Sequence, residues 1–359
     1  MVTLGSKIKE VRKSYGITMK DLAQAVQIDQ ALISKYENDK RYPSEDHMLV
    51  IAQYFEENGK SLMTQWISEK IYNVMKKYPA YAEEALNVAE ERIAYLSKAQ
   101  AMEAPRLTKA LGDKIEIVDQ LQAQWQSLKP LDGIALQKMK EHFSIAYTHE
   151  SNKIEGNTLT LQDTFLVISE GLTISGKTMT EHLEAINHSD AIGFVDDIVG
   201  RKEELLSRTV NEVHSLVLRG IDPANAGRYR TVPVMISGST HRPPEPYLLS
   251  KHMEDYFQFY DRNKEAMHPV ILAAEMHERL VTIHPYIDGN GRTSRLIMNL
   301  ILLRNGYTIA NLKGDNASRM KYYRALNEVQ TNHDSTDFYH LILDAAIESL
   351  QEHIRLVGI

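Results

Sequence analysis

The sequence predicts a mostly α-helical protein, on three observations. Apolar residues recur at helical spacing along most of the chain, glycine and proline are scarce at 18 and 11 in 359 residues, and one stretch, residues 227–247, alternates in the manner of a strand. A composition of 43 % hydrophobic and 25 % charged residues is that of an ordinary globular protein, and the length allows two or three domains. With no cysteine, disulfides, thiolate nucleophiles and cysteine-based zinc or iron–sulfur sites are excluded. A net charge of −7 argues against bulk adhesion to nucleic acid or anionic lipid. The first residues lack an apolar core of leader length, and the run Leu296 to Leu303 falls far short of the roughly 20 residues of a membrane span. A cytoplasmic protein with no membrane partner is expected.

Residues 1–60 read as five short helices. Leu4, Ile8 and Val11 share one face, Thr18 caps the next segment, and Asp29 caps Gln30 to Tyr36. Pro43-Ser44 then opens a helix carrying Met48, Val50, Ile51, Tyr54 and Phe55. Through Leu22-Ala23, Ile33-Ser34, Tyr36-Glu37 and Pro43-Ser44 the segment resembles the repressor-like helix-turn-helix family. That resemblance implies DNA as a partner, read in the major groove by Gln30, Ala31, Ser34 and Lys35 of the third helix. The charge lends it little support, since residues 1–60 hold nine Lys and Arg against nine Asp and Glu. A homodimer on a palindromic site would soften that objection.

Residues 61–105 keep helical spacing with Pro79 as the one break and read as a helical connector, with a boundary at Glu103-Ala104-Pro105-Arg106. Residues 106–359 continue as a helical domain. Within it, Val232, Val234 and Ile236 alternate with other residues, the chain breaks at Ser237-Gly238-Ser239, and Pro243-Pro244 follow. A short edge hairpin is expected there.

The chemistry is concentrated between His284 and Arg295. An apolar helix precedes this stretch and another follows it, so its loop delivers residues onto a helix N-terminus. Gly289 and Gly291 flank Asn290, letting backbone N–H groups curl inward as an anion cradle. Asp288 offers a hard oxygen to Mg²⁺ (or Mn²⁺) held between protein and phosphates. Arg292 and Arg295 share a helix face and can pair with more than one phosphate group. His284 can accept a proton from an incoming hydroxyl, and the set describes phosphate-group transfer. His277 and His284, seven apart, lack the HExxH spacing of a metal hydrolase.

The stretch His284-Pro285-Tyr286-Ile287-Asp288-Gly289-Asn290-Gly291-Arg292-Thr293-Ser294-Arg295 resembles the hallmark HxFx(D/E)GNGRxxR of the Fic family, departing only at Tyr286. The resemblance implies a helical Fic core with a small β-hairpin flap and an activity that moves AMP from ATP onto a Ser, Thr or Tyr hydroxyl of a target protein. It assigns His284 as general base and Asp288 as metal ligand. Gly289, Asn290, Gly291 and Arg292 would grip the α and β phosphates of the nucleotide, Thr293 would also bind the nucleotide, and Arg295 would meet the γ phosphate. The alternating segment resembles the family's target-docking flap through Val232, Val234 and Ile236. "RMKYYRALNEVQ" resembles the helix closing on adenine and implies Tyr323, Leu326 and Gln330 there. "SNKIEG" matches the family's inhibitory motif, implying an inhibitory helix near residues 148–157 in which Glu155 pairs with Arg295. As plain chemistry, Ser151 is a helix-capping residue type and Glu155 a surface charge. Removal of AMP by the same residues, and a nucleotide-sensing DNA regulator, are the alternative readings.

Overall fold

The computed structural model describes residues 3–99, 107–128, 133–236 and 239–357. The chain divides into two compact units, Met1–Glu103 and Ala104–Ile359. Every regular element among the described residues is helical. The expected boundary at Glu103–Arg106 and the Ser237-Gly238 break lie outside the described residues.

In the first unit, α1 (Leu4–Ser14), α2 (Met19–Ala25), α3 (Gln30–Glu37) and α4 (Glu45–Tyr54) are each started by a side-chain cap, from Thr3, Thr18, Asp29 and Ser44. Thr18 and Asp21 form a full capping box. Leu4, Ile8, Leu22, Ile33, Met48 and Ile51 build the core, and α5 (Glu56–Met75) adds Leu62 and Trp66 to it. On α4, Met48, Ile51 and Ala52 face the core, while Val50 and Tyr54 point to solvent. Arg12 is buried with Glu37 and binds both of its carboxylate oxygens. Pro79 begins a 3₁₀ turn that separates α5 from α6 (Ala82–Ala99).

The second unit begins with α7 (Lys109–Ser127), α8 (Gly133–Ile154), α9 (Leu161–Ser169), α10 (Met179–Arg201) and α11 (Ser207–Val217). It continues through α12 (Leu249–Asn263), α13 (Pro269–Ile283), α14 (Asn290–Arg304), α15 (Asn316–Asn332) and α16 (Thr336–Val357). The centre is the pair α13 and α14, with α10, α11, α12, α15 and α16 packed about it. Helix α14 is buried on nearly every side from Asn290 to Leu302, and beyond the first turns its sequence is apolar all round except for Asn299, whose amide is satisfied by the Ala310 backbone. The six residues joining the two central helices are thereby fixed at both ends by the best-packed part of the unit. No helix among the described residues is long and apolar enough to cross a membrane.

The expected hairpin is absent: among the described residues of 228–245 there is no strand. Pro233 interrupts the alternation, and Pro243 and Pro244 remove two further N–H donors from the returning leg. In place of a ladder, the Arg230 side chain donates to Val232 O at 3.1 Å and to Pro244 O at 2.5 Å, tying the two legs together.

Candidate active site

His284 ends α13 in the left-handed region (φ 50°, ψ 58°), turning the chain sharply into the loop. Its Nδ1 lies 3.2 Å from Val281 O. As the donor of that bond, Nδ1 carries the proton and leaves the Nε2 lone pair to receive another. Burial is the main influence on the ring and brings its pKa down to about 4, with the Val281 carbonyl opposing and Arg230 assisting. The imidazole is neutral at pH 7 and able to take up a proton.

The rest of the loop is held by its own side chains. Asn290 accepts from Tyr286 N–H at 3.0 Å and donates to Tyr286 C=O at 2.9 Å. Its amide is spent on the turn, so only its backbone N–H remains for an anion. Gly289 is left-handed at φ 75°, and no side chain caps α14 after it. The first N–H groups of a long buried helix therefore stand without a side-chain cap, in the arrangement that can receive an anion.

That site faces a carboxylate. A Cβ at Gly291 would fall 2.5 Å from Glu155 Oε1 and 3.1 Å from Arg295 Nη1, so glycine here allows an anion to lie against the backbone. Glu155 follows the end of α8 and accepts from Arg295 Nη2 at 2.7 Å, the pairing that the motif resemblance implies. Arg295 also donates to Ser151 Oγ from Nε and to Ser151 O from Nη2, each at 2.9 Å, and its buried Nη1 has no partner. Burial works against the Arg295 charge, and Glu155, joined by Tyr322 and Tyr147, more than restores it. Ser151 is no helix cap: it lies inside α8 near its end, where its backbone is helical and its hydroxyl serves the arginine.

Arg292 turns elsewhere on α14, to Glu184 at 2.8 Å and Asp288 at 3.3 Å, with its buried Nε unpaired. Asp288 is 65 % exposed. Its Oδ1 also accepts from Gly289 N–H. Thr293 Oγ1 is buried without a partner. No group of three or more His, Asp or Glu that could hold a metal occurs among the described residues. A divalent ion here would have one protein carboxylate, Asp288, and take its other oxygens from phosphates and water, a donor set suited to Mg²⁺.

Residues 204–302, which include this loop, match the Fic/DOC family model, and residues 5–65 match that of a helix-turn-helix domain. The chain carries a Fic domain. The protein adenylyltransferase Fic of Nematostella vectensis is 34 % identical over 206 residues, covering 57 % of this chain and 47 % of its own. That of Drosophila ananassae is 33 % identical over 221 residues, covering 61 % and 44 %. The chain spans less than half the length of these curated relatives. Among solved structures, a Fic domain containing signaling protein from Bacteroides thetaiotaomicron is 26 % identical with a TM-score of 0.61, covering 67 % of this chain and 97 % of that one. Residues 134–508 of Fic-1 from C. elegans share the fold at 23 % identity and a TM-score of 0.61, covering 98 % and 97 %.

Three residues that sequence reasoning missed support the Fic loop. His214 on α11 is fully buried, accepts from Gly227 N–H at 2.8 Å and donates to Asp288 C=O at 2.9 Å, so one neutral tautomer serves both bonds. Its ring stacks on Tyr286 at 3.6 Å, and Tyr286 Oη donates to Asn211. His188 on α10 joins Thr148 Oγ1 to Ser151 Oγ behind Arg295, and burial keeps it neutral. Arg230 donates from Nε to His284 O at 2.8 Å. A lone histidine or arginine some 50 to 100 positions from the motif carries no local signal of such a role.

Of the residues expected around adenine, Tyr323 is partly exposed and donates to Ile154 O at 3.1 Å beside Glu155. Gln330 reaches Thr282 Oγ1 on α13 and accepts from Ser239 Oγ. Leu326 belongs instead to the hydrophobic core. Along the extended segment Val232 is exposed, while Val234 and Ile236 are half-buried.

Proposed function

We propose that the protein is an adenylyltransferase that moves AMP from ATP to a hydroxyl side chain of a target protein or of itself, and that Glu155 restrains it. The observation that carries this reading is the His284 imidazole, held through Nδ1 at Val281 O, in the same loop as an uncapped helix N-terminus and two buried arginines. The names of the relatives in Nematostella and Drosophila agree with it.

In this mechanism the α14 N–H groups of Asn290 and Gly291, with Arg292, hold the α and β phosphates, and Arg295 meets the γ phosphate. His284 Nε2 takes the proton of the target hydroxyl as its oxygen bonds to the α phosphorus, and the bond to pyrophosphate breaks. Asp288 would hold Mg²⁺ (or Mn²⁺), which supplies neutralisation of the phosphate charge. Thr293 lies a turn inside the cradle, Tyr323 and Gln330 border the adenine, and the segment carrying Val232, Val234 and Ile236 receives the target.

Restraint follows from one anion standing where another must bind. The Glu155 carboxylate covers Gly291 and engages Arg295, so a γ phosphate has to displace it to reach the same guanidinium. Ser151 holds that guanidinium in place for the glutamate. In the first unit, Gln30, Ala31 and Lys35 are exposed on α3 with Ser34 half-buried beside them, a face open to DNA as a further partner, with a homodimer proposed as the binding form. A chain without cysteine suits a reducing compartment, and a cytoplasmic location goes with the proposal.

The deciding experiment supplies ATP labelled at either the α or the γ phosphate to the Glu155→Gly protein. Adenylyl transfer places the α label on protein and leaves the γ label in pyrophosphate. Retention of the γ label would mean phosphoryl transfer, and retention of neither would defeat the proposal.

A further inference from the structure

Arg230 is a buried cation beside the proposed base, 3 % exposed, and among the described residues it forms no ion pair. Its donors go to carbonyl oxygens alone: Nε to His284 at 2.8 Å, Nη1 to Val232 at 3.1 Å and Nη2 to Pro244 at 2.5 Å. Its backbone N–H adds a bond to Pro285 O at 2.9 Å. Burial disfavours the Arg230 charge, Glu245 offsets it only in part and through space, and an apolar side chain of similar size would avoid the cost. The planar fork, by contrast, reaches three carbonyls from separate stretches of chain at once, which a lysine ammonium on a flexible stem does not reproduce.

We propose that Arg230 is a positioning residue of the transfer reaction, joining the backbone of the base to both legs of the extended segment so that seating a target and posing the imidazole are one event. This rests on the reading of His284 as the base. The guanidinium charge adds a second effect. The groups acting on the His284 ring, beyond its burial, are Val281 O on its own helix, Arg230 and His241 on the extended segment, and Glu155 after α8. Val281 O and Glu155 favour the protonated ring, and Arg230 and His241 oppose it.

Arg230→Lys and Arg230→Met, each made with Glu155→Gly, separate the two effects. The readouts are self-modification with α-labelled ATP and the titration of His284, followed by the NMR signals of its ring without nucleotide and assigned with His284→Ala. Arg230→Met is expected to raise the His284 midpoint and slow transfer by about tenfold to a hundredfold. Arg230→Lys is expected to hold the midpoint near that of the parent and lower kcat, with ATP affinity unchanged. The proposal is overturned if both variants transfer at the parent rate, if Arg230→Met leaves the midpoint in place, or if Arg230→Lys loses ATP affinity in proportion to rate. Should Arg230→Met not fold, the division between kcat and affinity in Arg230→Lys decides alone. A midpoint that moves in a protein transferring no label would reject the activity and keep the hold of Arg230 on His284.

Discussion

Two arginine–glutamate pairs, one in each unit, are built to opposite ends. Arg12 and Glu37 are both sunk in an apolar core, at 9 % and 1 % side-chain exposure. Both carboxylate oxygens are bound, at 2.5 and 2.9 Å, and the remaining Nη1 donates to Ile17 O. In the second pair Arg295 is buried deeper than Arg12, at 1 %, but Glu155 is 31 % exposed and a single one of its oxygens meets the guanidinium. Arg295 keeps one buried donor without a partner. Satisfied donors make a staple that holds α1 to α3, whereas in the proposed mechanism the open carboxylate and the idle donor serve as a latch that an incoming anion exchanges.

The comparison can be broken at several points. The largest effect is expected from His284→Ala, which removes the reaction the latch guards: transfer falls about 10²- to 10⁴-fold while ATP binding, followed by calorimetry, persists. Next is the staple, where Glu37→Ala leaves a buried guanidinium uncompensated. Chemical denaturation is expected to show the first unit losing about 3–5 kcal/mol, with no change in the transfer rate of folded protein. The latch reverses that pattern: Glu155→Gly raises transfer about 5- to 150-fold, the span of a coupling of 1–3 kcal/mol. Equal stability losses in the Glu37 and Glu155 variants would erase the distinction between staple and latch.

Smaller effects sharpen it. Gly291→Ala puts a methyl 2.5 Å from Glu155 Oε1 in the parent. In the Glu155→Gly background that methyl is expected to weaken ATP binding by about tenfold, because the space serves the phosphate as well. The smallest effect is with pH. Since burial brings the His284 pKa down to about 4, the base is neutral above that value, and the kcat/KM of Glu155→Gly is expected to stay level from about pH 6 to 8 and to fall only as pH drops towards it. The same depression removes stability as pH falls from the unfolded histidine value of about 6.5 towards the folded one.

What was legible in the sequence was local. Caps at Thr18, Asp29 and Ser44 could be read because each lies at the first turn it serves. The loop from His284 to Arg295 was legible because its glycines, arginines and carboxylate all stand within a dozen residues of sequence. Glu155 pairing with Arg295 required a motif resemblance, since the two stand 140 residues apart. The alternation of Val232, Val234 and Ile236 suggested a strand, yet strands need paired donors, and here prolines withdraw them and Arg230 takes over. His214 and His188 were hidden because their partners come from other helices, so their role exists only in the packed structure.

The central claim is that one loop transfers AMP and one carboxylate restrains it. Mass spectrometry of three proteins after incubation with ATP and Mg²⁺, the parent, Glu155→Gly and Glu155→Gly with His284→Ala, tests it most directly. An adenylyl adduct on a hydroxyl residue is expected to be abundant in the second, sparse in the first and absent from the third. Equal adducts in the second and third, or none in the second, would contradict the account.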